Sequence, residues 1–149
     1  MRLFFDTNVL LDHALMRQTG QPVEISYIIF WALQNDIQIV ISSCCIYTFT
    51  YVLHRQGIRG ERLKMQIEQY LTMFHICKTD KKVFMDGLDS SFKDLEDSYQ
   101  CMNALKDGCD YLITSNISDF KPFAKDAIQI FSPRDFVANV IGAKEGIDF

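Results

Sequence analysis

Hydrophobic and polar positions along this chain switch between two periods. Short apolar runs rich in β-branched and aromatic residues read as buried strands: Leu3-Phe4-Phe5, Ile37 to Ile41, a stretch around Ile76, Tyr111-Leu112-Ile113, and Ile128 to Phe131. Between them apolar residues recur at helical spacing. Thr7 can cap a helix carrying Val9, Leu10, Leu11 and Ala14, and Pro22 opens a second with Ile25, Ile28, Ile29 and Leu33, ended by Asn35-Asp36. Ser42-Ser43 can cap a third helix that runs to Arg55. Gly57 and Gly60 punctuate the chain before Leu63, Ile67, Tyr70, Leu71 and Phe74 mark a fourth. Asp80 starts a fifth through Val83, Phe84 and Leu88. Leu95 to Lys106 is a sixth, with Leu95, Tyr99, Met102 and Leu105 as its expected core stripe and Gly108 at its C-cap, and Pro133 starts the last. Strands separated by helices predict an α/β fold, a parallel sheet with helices on both faces, whose ligands bind beyond the carboxyl ends of the strands.

Composition narrows this pattern. With 149 residues, no repeat and no linker, the chain reads as one domain spanning 1–149. It is 48% apolar and 23% charged, with enough aromatic area to exclude disorder. A net charge of −4 argues against holding nucleic acid by bulk positive charge. It leaves open a site where a divalent cation supplies positive charge locally. Five cysteines without a C-x-x-C pair exclude a disulfide framework or zinc site and suit a reducing compartment. The apolar stretch behind Arg2 stops at Asp6, too soon for a signal peptide, and the run Ile28 to Leu33 is too short to span a bilayer. The expected location is the cytoplasm, away from any membrane.

The chemistry sits at the strand ends. The first strand ends in Asp6-Thr7-Asn8, and Tyr111 to Ile113 ends in Thr114-Ser115-Asn116 with Asp119 just beyond. The helix feeding the latter strand begins Asp94-Leu95-Glu96-Asp97. Asp97, Cys101, Ala104 and Gly108 run beside its core stripe, and these small side chains let the helix lie close to the sheet. Asp94 lies one turn before Asp97 on the same face, whereas Glu96 points elsewhere on an ideal helix. Taken singly, Asp6 is a strand-ending acid, Asp97 a first-turn helix acid and Asp119 a loop residue or cap. Together they should converge on one sheet edge. At ~5 Å and an effective dielectric of ~20 each pair repels by about 3 kcal/mol. Either protons or a cation must relieve this, and oxygen-only ligands favour Mg²⁺ or Mn²⁺.

F-D-T-N-V-L-L-D at 5–12, D-x-E-D-S at 94–98 and T-x-N-x-x-D-F at 114–120, followed by Ile130-Phe131-Ser132-Pro133-Arg134-Asp135-Phe136, resemble the signature segments of PIN domains over essentially the whole chain. The resemblance implies a three-layer α/β/α sandwich with a central, mainly parallel sheet. It also implies a metal-dependent ribonuclease, one of the VapC-like toxins of toxin–antitoxin pairs, acting with one or two Mg²⁺ or Mn²⁺ ions. Asp6, Asp97 and Asp119 match the family's metal-binding acids, with Asp94 an additional acid. Asn8 and Asn116 match polar orienting residues, and Thr114 matches a hydroxyl position near the metals. An antitoxin protein and a homodimer are the partners implied. One position departs from the pattern: aligning Tyr51-Val52-Leu53 places Thr48 where the family has a glutamate. Threonine can hold a water ligand but brings no charge.

No Ser, Cys or His lies in the three motifs with a partner base, and His13, His54 and His75 lie outside them, so water rather than a side chain is the expected nucleophile. For RNA contact the candidates are Arg17 and Lys121, near the strand ends by topology, and Arg55, in the run His54, Arg55, Arg59, Arg62, Lys64. That run reads first as a solvated helix face and only second as an RNA contact. Tyr47, Phe49 and Tyr51 read mainly as core packing, with a stacking face for bases as the alternative. A different class of function also fits: a catalytically impaired PIN-fold RNA-binding or interaction module, which Thr48 favours and the retained acids oppose. A haloacid-dehalogenase-type phosphatase would need an acid where Asn8 stands. A receiver would need a late lysine where Pro133-Arg134 stands.

Overall fold

The computed structural model describes residues 1–120, 122 and 128–142. Five strands form one sheet: β1 (Arg2–Phe5), β2 (Gln38–Ser42), β3 (His75–Cys77), β4 (Tyr111–Ile113) and β5 (Gln129–Phe131). Their order is β3-β2-β1-β4-β5 and every pairing is parallel, with Phe4 opposite Val40 on one side and Leu112 on the other. The chain winds outward from β1 to β3, then returns to lay β4 on the other side of β1. The order therefore reverses between β1 and β4, which places a crevice at their carboxyl ends.

The helices are α1 (Thr7–Ala14), α2 (Pro22–Gln34), α3 (Cys45–Arg55), α4 (Gly60–Met73), α5 (Lys81–Leu88), α6 (Leu95–Lys106), α7 (Ile117–Phe120) and α8 (Pro133–Phe136), the last running into a π-helical segment, Val137–Ile141. Alternate strand residues feed two separate cores. Leu3, Phe5, Ile39, Ile41 and Ile113 face one way, onto Leu10, Ile28, Phe49, Tyr70 and Phe136 from α1, α2, α3, α4 and α8. Phe4, Val40, Leu112 and Ile130 face the other, onto Cys101 and Ala104 of α6 and Phe120 of α7. This is the three-layer α/β/α sandwich expected.

Three local expectations need correction. Asp6, not Thr7, caps α1: its carboxylate accepts from the Thr7 backbone N–H. The segment holding Asp119 is a helical turn, α7, rather than a loop. On α6 the expected core stripe is the outer one. Leu95 is exposed and Tyr99, Met102 and Leu105 are half-buried, whereas Asp97, Ser98, Gln100, Cys101, Asn103 and Ala104 are buried. Polar residues can take the inner face because they find partners there. Gln100 bonds Ser42 and Thr7, and Asn103 bonds Thr79. Tyr99 packs instead against Phe84 of α5, with ring centroids 4.9 Å apart. None of the five cysteines, all of which lie among the described residues, is in a disulfide. No helix of the described residues is long and apolar enough to cross a membrane.

Candidate active site

The centre is built on the crevice between β1 and β4. Asp6 follows β1, and its backbone N–H donates to the Ile113 carbonyl of β4 at 3.1 Å, fixing the residue beside Thr114. Both carboxylate oxygens are held. Oδ1 accepts from the Thr7 N–H at 2.8 Å and Oδ2 accepts from the Thr114 hydroxyl at 3.0 Å. Thr114 Oγ1 in turn accepts from the Asn116 N–H at 3.0 Å, so the β4 turn is locked onto Asp6. Asp6 and Thr114 are both buried.

Asp97 arrives from the other layer, on the first turn of α6. Asp94 caps that helix, its carboxylate accepting from the Asp97 N–H at 3.1 Å. One turn beyond Asp97, the Gln100 amide donates to Thr7 Oγ1 at 2.5 Å and accepts from Ser42 Oγ at 2.6 Å. Ser42 Oγ also accepts from the Cys45 N–H at 3.2 Å. This buried chain ties the ends of β1 and β2 and the starts of α1, α3 and α6 into one frame.

Electrostatics shows which acids share the site. Burial pushes the Asp6 carboxyl up to about 6, against the hydrogen bonds from Thr114 and Thr7, and the Glu96 charge adds to the rise. Burial likewise pushes Asp97 up to about 7, with the charges of Asp6, Asp94, Asp119 and Glu96 adding to it. The charges of Asp6, Asp94 and Asp119 thus act on Asp97, and Asp94 and Asp119 are exposed. Glu96 is exposed, and its charge still acts on both Asp6 and Asp97. At the first turn of a helix aimed at the crevice, even a residue off the inner face lies near the centre.

Asn8 and Thr48 are half-buried on the first turns of α1 and α3, and Asn116 accepts the Asp119 N–H at 3.1 Å. Arg17 is paired with Asp12 at 3.5 Å. Arg55 ends α3, ten residues past Cys45, or ~15 Å along the helix axis. Lys121 lies outside the described residues. Sequence reasoning missed Ser42, Gln100 and Asp12 as parts of the frame. Asp12 closes the first motif, is buried, and accepts from Ser115 at 3.1 Å, tying α1 to the β4 turn. A buried-face polar residue three positions after Asp97 was the available signal for Gln100.

Among the described residues, no three carboxylate, thiol or imidazole side chains close around a single point as a ready-made metal shell. The donor set nevertheless fits a hard cation. The ion pairs among the described residues leave Asp6 and Asp97 with no cationic partner. Both carboxyls lie above their ordinary range, and a cation beside them would relieve the cost of their charged forms as a proton does. Mg²⁺ binds through one or two carboxylates while keeping several waters, so a closed protein shell is not required.

Comparison with known proteins places this geometry in a family context. A family model described as PIN domain matches residues 2–118. Ribonuclease VapC1 of Aquifex aeolicus (strain VF5) is 27% identical over 126 residues, covering 81% of this chain and 85% of that protein. Among solved structures, VapBC2 from Rickettsia felis, bound to a DNA fragment from its promoter, matches with a TM-score of 0.67 at 15% identity, covering 89% of this chain and 98% of that one. A toxin–antitoxin complex from Klebsiella pneumoniae matches with a TM-score of 0.62 at 21% identity, covering 88% and 97%.

Proposed function

The chain belongs to the PIN domain family, and from that premise we propose that it is a divalent-cation-dependent endoribonuclease, the toxin of a toxin–antitoxin pair. The observation that carries the reading is the uncompensated acidic pair, Asp6 and Asp97, at the sheet's reversal point with Asp94, Glu96 and Asp119 around it. The VapC1 relative named a ribonuclease supports the activity, and the toxin–antitoxin complexes of like fold support an antitoxin partner. Free thiols agree with a reducing cytoplasm. A homodimer is part of the same reading.

Asp6 and Asp97 would hold Mg²⁺ or Mn²⁺, one ion or two, with Asp119 and Asp94 completing the site from the rim. The cation, when bound, supplies Lewis acidity toward the phosphate and acidifies a bound water. The protein's own groups set the geometry. Thr114 and the Thr7 N–H fix both oxygens of Asp6 and hold it in its charged form. Gln100, through Thr7 and Ser42, fixes the approach of α6 and hence of Asp97. Asn8, Asn116 and Thr48 orient water at the edge of the centre. Water attacks phosphorus as the bond to the leaving nucleotide oxygen breaks.

The test is cleavage of a mixed single-stranded and structured RNA pool with Mg²⁺, with Mn²⁺ and with chelator, beside Asp6→Asn and Asp97→Asn. The expected result is metal-dependent cleavage that falls in both variants by more than the ~10–100-fold typical of losing a supporting partner. No cleavage by folded protein at any metal level would overturn it. The interaction-module reading, which Thr48 favours, would then stand in its place.

A further inference from the structure

Helix α3 leaves the acidic centre and presents a surface of opposite character. Its start is bound into the centre through Ser42, which holds the Cys45 N–H and Gln100, and the Asp6 charge acts on the Cys45 thiol. From there the helix sorts its aromatics. Phe49 goes into the core, edge-on to Tyr70 with centroids 5.1 Å apart. Tyr47 and Tyr51, one turn apart on the outer face, are 83% and 62% exposed. Arg55, one turn further, sits with its guanidinium 6.0 Å from the Tyr51 ring centroid. The exposed residues His54 and Arg59 continue the strip toward α4.

Its charge is as distinctive as its rings. Between Asp36 and Glu61 the chain carries no acidic residue, although it holds 19 acids in all and a net charge of −4. This segment thus differs from the rest of the chain: planar rings and cations, with no carboxylate of its own. Rings in register with cations are the chemistry that binds unpaired bases and their phosphates together.

We infer that the outer face of α3, Tyr47, Tyr51 and Arg55 with Arg59 beyond, is the track for single-stranded RNA leaving the cleavage centre. Bases stack on the two tyrosine rings, and the arginines neutralise the phosphates between them. This deepens the ribonuclease reading and rests on it for the direction of the strand. The phenol hydroxyls have no part in it, so a ring without one serves equally.

The experiment measures binding of a fluorescein-labelled 12-nucleotide single-stranded RNA by anisotropy in chelator, where no cleavage interferes, with a duplex of the same sequence as a second arm. Tyr47→Ala and Tyr51→Ala should each weaken single-strand binding by about tenfold. Tyr47→Phe and Tyr51→Phe should bind as the wild type does. Duplex binding should be insensitive to all four, and Arg55→Ala should flatten the salt dependence. KM for the same oligonucleotide with Mn²⁺ should rise with Kd. Unchanged Kd in the alanine variants overturns the inference even if the wild type cleaves RNA. So does an alanine variant whose only change is from dimer to monomer, which would make the face a contact between copies. Single-strand binding that weakens in the alanine variants, without cleavage by the wild type, would sustain the stacking face and overturn the nuclease reading. A wild type that binds no RNA overturns both.

Discussion

Burial and four neighbouring acids push the Asp97 carboxyl to about 7, and burial pushes Asp6 to about 6, from an ordinary value of 3.8. The folded protein therefore keeps protons between about pH 4 and pH 7 that the unfolded chain has already lost, and stability falls as pH rises through that window. Below it both states are protonated and the cost is absent; above it the cost is complete. In chelator the melting temperature should drop by several degrees from pH 5 to pH 8. Asp97→Asn should remove most of that drop, and Mn²⁺ should reverse it at pH 8 while doing little at pH 5. A flat profile, or an equal drop in the variant, would contradict this. Thr114 works in the other direction, since its hydroxyl favours charged Asp6. Thr114→Val loses a hydrogen bond to a carboxylate, worth ~1.5–3 kcal/mol. The acid limb of the pH–rate profile should move upward, with activity near its plateau at alkaline pH; an unmoved limb would remove Thr114 from the site.

At the level of elements, the period-2 strands and their helical spacers were legible because burial decides them. The reversal of order at β1 was not, because nothing in the spacing says on which side of β1 the returning strand lands. The inner face of α6 was misread for a specific reason. Apolar periodicity marks a stripe that must be covered, and here α5 takes Tyr99 from it through Phe84, while Gln100 and Asn103 bond toward the sheet. Close approach of α5 and α6 depends on Gly87. A Cβ there would lie 2.6 Å from Tyr99 Cδ1 and 2.7 Å from Ser98 Oγ. Gly87→Ala should force the helices apart and cost about 1–3 kcal/mol by denaturant unfolding, despite the better helix propensity of alanine. A neutral or stabilising effect would show that the pair is looser than drawn.

Across the whole molecule, charge is segregated. The charges of Asp6, Asp94, Glu96 and Asp119 all act on Asp97, although these acids come from the end of β1, from α6 with its cap, and from α7. Only the joint spacing of three segments signalled this; each acid alone had an ordinary structural reading. The hydrogen-bonded frame of Ser42, Thr7 and Gln100 stayed hidden, because side-chain pairs 93 and 58 positions apart leave no local pattern. The central claim is that this edge is tuned for a divalent cation. Calorimetric titration of Mn²⁺ into chelator-stripped protein at pH 8 tests it most directly, with Asp6→Asn and Asp97→Asn alongside and their folding checked by melting temperature. Saturable binding by the wild type is expected, lost in both folded variants and weakening sharply toward pH 5. Absence of binding at pH 8, or binding that both variants retain, would contradict it.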